Sequence, residues 1–303
     1  MSIRPVLETR RAVQTLEGAG VHLHRAFGFQ DPSELDPFLL FDDFRNDNPA
    51  HFEKGFPWHP HRGIETITYV LNGTVEHGDS LGNTGTLGAG DVQWMTAGSG
   101  IMHQEMPHGN AAGQMHGFQL WGNLPSAQKM TDPRYQDVNV SEIPEVSDDD
   151  GTVVRVITGE FWGKRGPVDG IAADPQYLDV TVPAGVRKTF QIDTYRRAFA
   201  YVFEGAAAFA DASPPSGVLL EKEVMGEEVN IRDLSGDRTL IRFGTGNEVT
   251  VQAGPGGVRF LLISGAPIEE PVAWHGPIVM NTQDELKQAV HDLRNGTFIK
   301  PVH

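Results

Sequence analysis

Apolar and polar positions alternate in short runs along most of the chain, and the runs are broken by glycine-rich turns. Ile64-Glu65-Thr66-Ile67-Thr68-Tyr69-Val70-Leu71 is β-branched and aromatic, which predicts a strand. Asn72-Gly73 is a hairpin-type break, and Thr74-Val75-Glu76-His77 resumes the strand. Gly82-Asn83 and Gly88-Ala89-Gly90-Asp91 are further turns. Val92-Gln93-Trp94-Met95 and Ile101-Met102-His103 flank a turn at Gly98-Ser99-Gly100. Upstream, Val21 to Phe27 alternates well, and Val13 to Leu16 is a shorter candidate strand. Asp36 to Arg45 reads as strand plus turn, and Asn46-Asp47-Asn48-Pro49 as a loop. Short strands at this spacing predict an antiparallel barrel or sandwich.

The same texture returns after residue 151. Thr152 to Ile157, Tyr177 to Val182, Ala198 to Gly205 and Arg259 to Ile263 all read as strands. Tyr201-Val202-Phe203-Glu204-Gly205 lines up with Tyr69-Val70-Leu71-Asn72-Gly73, an internal repeat at domain scale. Between the two halves, Ser141 to Gly151 is acidic and short of large apolar residues, as a linker would be. The expected division is therefore a first barrel over 1–140, a linker over 141–151 and a second barrel over 152–303. Only the end of the chain has helical spacing. Thr282 and Glu285 form a capping box, Leu286, Ala289, Val290 and Leu293 share a face, and Asn295-Gly296 stops the helix.

Composition narrows the function classes. With 303 residues, 39% hydrophobic and 21% charged, the chain can build packed cores. Its net charge of −16 argues against direct contact with nucleic acid or an anionic membrane surface. The absence of cysteine excludes disulfides, thiolate metal sites and cysteine nucleophiles. No apolar run approaches the length of a membrane span, and the N-terminus has no signal-peptide core. The expectation is a soluble cytoplasmic protein.

The candidate chemistry sits in two short pairs, His59-Pro60-His61 and His103-Gln104-Glu105. On a strand, residues i and i+2 project from the same face. If both strands line one interior, three imidazoles and a carboxylate converge, a sufficient donor set for a divalent first-row transition metal. Glu65 continues the parity of His59 and His61 and is expected to face inward. There it would bind the metal or accept a hydrogen bond from a ligating imidazole. Either Glu105 or Glu65 is then a candidate catalytic base. Other residues read more simply. His22 and His24 form a second such pair but lack a partner pair nearby, so an exposed edge is expected. His77, His108 and His116 read as surface or satisfied core histidines, and Trp94, Trp121 and Phe118 as core. In the second half, Tyr195-Arg196-Arg197 stands where the histidine pair would be, and no histidine occurs between His116 and His275.

The His-x-His pair, the Gly90-Asp91 turn and the later His103 resemble the two motifs of the cupin superfamily. Longer phrases resemble one cupin family, the pirins: Asp36 to Phe44, Phe56 to Thr66, Gly90 to Gly98, His103 to Pro107, Gln119 to Pro125 and Leu262 to Gly265. Two departures from the generic motif, Thr96 in place of proline and the late position of His103, match the pirin form. The resemblance implies an all-β bicupin: two cupin-type antiparallel β-barrels with a short C-terminal helix and a metal only in the first barrel. It implies His59, His61, His103 and Glu105 as ligands. It implies Fe as the metal, although the donor set also suits Mn, Co, Ni, Cu or Zn. The implied activity is that of a quercetin 2,3-dioxygenase, an oxidoreductase that opens a flavonol with dioxygen and releases carbon monoxide. Its alternative is a metal- and redox-sensitive regulatory protein that binds partner proteins without turnover.

Overall fold

The computed structural model describes residues 2–29, 32–169, 172–209 and 234–300. Up to residue 138 the strands are β1 (Val6–Arg11), β2 (Val13–Glu17), β3 (Val21–Phe27), β4 (Phe38–Asp43), β5 (Phe56–His61), β6 (Ile64–Asn72), β7 (Thr74–Asp79), β8 (Thr84–Leu87), β9 (Val92–Thr96), β10 (Ile101–His108), β11 (His116–Asn123) and β12 (Arg134–Val138). One α-helix, α1 (Gln283–Arg294), lies near the C-terminus. The all-β expectation with a terminal helix holds. Among the described residues, no helix is long and apolar enough to cross a membrane.

The chain divides into two compact units. The first contains residues 12–143, 167–174 and 267–303. A seven-stranded antiparallel sheet runs β12-β9-β6-β11-β4-β3-β2, and a four-stranded one runs β5-β10-β7-β8. The two are separate in hydrogen bonding, so the expected barrel takes the form of two sheets sharing one core. Val21, Leu23 and Val70 from the larger sheet pack with Val75 and Leu87 from the smaller. Ile64 and Met95 meet Ile101 in the same way. Alternation explains the burial: β10 alternates buried and half-buried residues, with His103 and Glu105 on the buried face.

The second unit contains residues 1–11, 144–166 and 175–266. Its nine-stranded sheet is centred on two long strands, Arg197–Phe209 and Glu248–Gly265. Glu248–Gly265 pairs with Arg187–Gln191 through its first residues and with Gln176–Val182 through its last. The two long strands approach closely at Gly205, where φ is +69° and a Cβ would meet the Gly257 carbonyl at 2.2 Å. Val154, Leu178, Phe190, Ala200, Ile241 and Phe260 are among the side chains filling this interior.

The grouping departs from the expected division at both chain ends. β1 belongs to the second unit, paired antiparallel with Thr239–Phe243 from Val6↔Phe243 to Arg11↔Thr239. The C-terminal segment and α1 belong to the first. Arg62 Nη1 donates to Asp292 (2.9 Å), Nη2 donates to the Phe298 carbonyl (2.8 Å), and the guanidinium lies over the Phe298 ring. Lys129 Nζ donates to the carbonyls of Gly63 and Val279. The capping box of α1 forms as expected, with Thr282 Oγ1 accepting from Glu285 N. The buried face differs: Leu286 and Ala289 pack on Ala273, Ile278 and Phe298, but Leu293 is exposed and Asp292 is buried against Arg62.

Candidate metal centre

β10 lies between β5 and β7 in the smaller sheet. The register pairs His103 with His59 and Ile101 with His61 on one side, and His103 with Asp79 and Glu105 with His77 on the other. Cross-strand partners share a face, so the three histidines of the two pairs found in the sequence come together. One ring nitrogen from each of His59, His61 and His103 lies within 4.8 Å of the others. The ring centroids are 4.3 Å apart for His59 and His103, 4.9 Å for His59 and His61, and 5.0 Å for His61 and His103. His61 and His103 are buried, whereas His59 is half-buried.

Hydrogen bonding orients two of these rings. His59 Nδ1 donates to the Pro57 carbonyl (2.9 Å), and His61 Nδ1 donates to the Pro277 carbonyl (3.1 Å). Each bond fixes the tautomer and leaves Nε2 as a lone-pair donor. Burial, with the nearby His59 adding to it, lowers the His61 pKa to about 3 against the opposing bond to Pro277. Burial, with His61, His59 and His77 adding to it, holds His103 well below its ordinary value. The buried imidazoles are therefore neutral, the form a metal ion requires. Both ring nitrogens of His103 are buried with no hydrogen-bond partner among the described residues. Three imidazoles with converging nitrogens fit a first-row metal ion.

Glu105 faces the same cavity as His59 and His61 but lies outside the 4.8 Å cluster of imidazoles. Its Oε1 accepts from Thr68 Oγ1 (2.8 Å) and its Oε2 from Gln119 Nε2 (3.4 Å). Those two partners come from β6 and β11, where Thr68 and Gln119 are cross-strand neighbours. Nothing in the local sequence marks them, because their facing depends on a register between distant strands.

Glu65 is placed differently from the expectation. The chain turns at Arg62-Gly63 and passes from the smaller sheet to the larger. Gly63 adopts φ +77°, and a Cβ there would meet the Val279 carbonyl at 2.0 Å. This corner resets the strand parity. Thr66 pairs with Trp121 and Thr68 with Gln119, both on the cavity side, so Glu65, opposite Gly122, points away from the cavity. Its Oε1 accepts from Thr96 Oγ1 (2.8 Å), and burial raises its pKa to about 7 despite that bond. Glu65 is neither a ligand nor a base in this arrangement.

The cavity lined by His59 and His61 has a volume of about 450 Å³. Leu40, Phe29, Phe56, Pro57 and Trp121 supply its apolar wall. Trp121, expected in the core, is half-buried against it and meets His61 in a T-shaped contact at 5.0 Å, while Trp94 and Phe118 are buried as expected. Opposite them Arg25 donates to both oxygens of Asp42 (2.8 and 2.7 Å) and reaches Glu17 at 2.8 Å. Burial raises the Asp42 carboxyl to about 6 even against Arg25. His22 and His24 stay outside the cluster, and His22 stacks on His51 at 4.0 Å. His108 is exposed and His116 half-buried. His77 departs from the reading as a satisfied core residue: it is buried, and neither ring nitrogen has a hydrogen-bond partner among the described residues.

Comparison with known proteins agrees with this architecture. The pirin family profile matches residues 20–122, and the profile of the pirin C-terminal cupin domain matches residues 177–299. A pirin-like protein of Caulobacter vibrioides is 41% identical over 98% of this chain and 100% of its own length. Pirin of Homo sapiens is 39% identical over 92% of this chain and 88% of its own. The crystal structure of quercetin 2,3-dioxygenase from Acinetobacter baumannii superposes with a TM-score of 0.84 at 30% identity, covering 98% of this chain and 99% of that one. Two profiles in the expected order, and identity sustained over nearly the whole chain, mean that this protein belongs to the pirin family.

Proposed function

We propose that this protein is a metal-dependent dioxygenase that opens a flavonol of the quercetin type. The observation that carries the reading is the trio of converging imidazoles, two of which line a cavity with aromatic walls and room for a multi-ring aromatic molecule. The full-length similarity to a quercetin 2,3-dioxygenase from Acinetobacter baumannii supports the substrate class. His59, His61 and His103 would hold one divalent metal ion, iron first among Fe, Mn, Co, Ni, Cu and Zn, with Glu105 as the carboxylate ligand. Such an ion would supply Lewis acidity that lowers the pKa of the substrate hydroxyl and redox chemistry toward dioxygen.

The side chains do the remaining work. Phe29, Phe56 and Trp121 line the space in which a planar aromatic substrate is held over the imidazoles. Glu105 takes the proton of the substrate hydroxyl. Thr68 and Gln119 hold that carboxylate from behind, with the weaker contact on Oε2 leaving that oxygen the more available. The apolar wall keeps bulk water from the deprotonated substrate.

The test is elemental analysis of the purified protein, then dioxygen uptake and carbon monoxide release with quercetin for protein reloaded with each metal. One equivalent of metal with coupled uptake and release is the expected result. If no loaded form consumes dioxygen with any flavonol, the reading is wrong, and regulatory binding of a partner protein takes its place.

A further inference from the structure

The three imidazoles of the site are not equally anchored. His59 and His61 each commit one ring nitrogen to a backbone carbonyl. His103, the most deeply buried, commits neither to any described residue. A ligating imidazole ordinarily gives its second N–H to an acceptor that fixes its tautomer and its angle. The polar group placed to serve His103 in this way is His77.

His77 and Asp79 alternate on β7, on the face shared with His103 and Glu105. The His77 and His103 ring centroids are 5.5 Å apart, with 56° between their planes. A direct N–H···N bond between two imidazoles spans roughly 5 Å between centroids, so the two rings are within reach of one another and a change of ring orientation would bring their nitrogens face to face. On its other side His77 stacks on Tyr135, at 4.9 Å and 26°. Its Nε2 lies 3.5 Å from Asp79 Oδ2. Asp79 is itself held by N–H donors: Oδ1 accepts from Leu81 N (2.8 Å) and Asn83 N (3.0 Å), and Oδ2 from Asn83 Nδ2 (2.8 Å). A fixed carboxylate facing Nε2 selects the tautomer with the proton on Nε2. That leaves the Nδ1 lone pair of His77 as an acceptor.

We infer that His77, backed by Asp79 and stacked on Tyr135, is a positioning residue for His103: it accepts the N–H that His103 does not use for a metal. The inference rests on the proposal that the three imidazoles hold a metal ion. It assigns a role to a histidine outside the ligand set, and the chain of partners runs His103, His77, Asp79.

Two variants separate positioning from packing. His77→Phe keeps the ring that stacks on Tyr135 and removes both nitrogens. His77→Gln restores an acceptor on a different skeleton. Both are measured as full-length proteins for Co(II) affinity by chelator competition, for the visible spectrum of bound Co(II), and for the melting temperature of the metal-free protein. The expected result is a cooperative melt for both variants. Co(II) affinity should fall about 10- to 100-fold in His77→Phe, with displaced absorption bands, and recover in part in His77→Gln. Parent-like affinity and spectrum in His77→Phe would overturn the inference while leaving the metal site intact. So would an equal loss in both variants. Failure of the parent itself to bind Co(II) would overturn the metal reading and this inference with it.

Discussion

Replacing Glu65 by Gln should stabilise the protein at neutral pH relative to acid pH and leave its metal content unchanged. Glu65 is buried, and its pKa is raised from 4.5 to about 7, chiefly by burial. A carboxyl whose folded pKa is raised keeps its proton where the unfolded chain has lost it. Its contribution is thus fully present below pH 4.5, falls as pH rises toward 7, and is constant above. The full span is worth about 3 kcal/mol. The protein's isoelectric point, about 5.1, makes the lower end of that range awkward for solubility. Between pH 5.5 and 8, about 2 kcal/mol of the effect remains. Urea unfolding of parent and Glu65→Gln across that interval measures it. Asp42, raised to about 6, titrates in both proteins and cancels in the difference. The expected result is a stability difference that moves in favour of Gln by about 2 kcal/mol as pH rises. A pH-independent difference would refute the buried, proton-holding Glu65. Loss of metal in the variant would refute its placement on the far face of β6.

His61→Ala removes a fully buried nitrogen donor, and elemental analysis should find no stoichiometric metal in it. Glu105→Gln keeps the shape and the Thr68 contact but removes the proposed base, so turnover with quercetin should fall roughly 100-fold or more while metal content falls far less; parent-like rates at equal loading would remove Glu105 from the proposed mechanism. Arg62→Ala breaks the buried pair with Asp292 and the cation–π contact with Phe298. It should cost about 3 kcal/mol by urea unfolding, the low end for such a pair because Lys300 still reaches Asp292 at 2.8 Å. A cost below about 1 kcal/mol would show that the C-terminal segment is not anchored there.

What the sequence made legible is what depends on neighbours along the chain. The spacing of His59 and His61, and of His103 and Glu105, determines a shared strand face before any fold is known, and the register between β5 and β10 then brings His59 opposite His103. Facing could not be carried across the corner at Arg62-Gly63. A single positive-φ glycine there moves the chain to another sheet, and Glu65, in phase with the histidines by counting, points the other way. The same reasoning explains why nothing in the sequence marks Thr68 and Gln119, and why His77 reads there as an ordinary surface or core histidine. Each stands in an ordinary strand pattern and acquires its role only from a partner 14 to 37 residues away or from a cross-strand pairing. The chain ends obey this rule most strongly. β1 alternates half-buried and exposed residues like any edge strand, and the edge it completes is Thr239–Phe243 at the far end of the sequence. Asp292 breaks the apolar stripe of α1 because its partner, Arg62, is set one residue beyond a candidate metal ligand. That pairing ties the terminal helix to the corner beside His61, so packing near the C-terminus and geometry at the candidate metal site share one physical support.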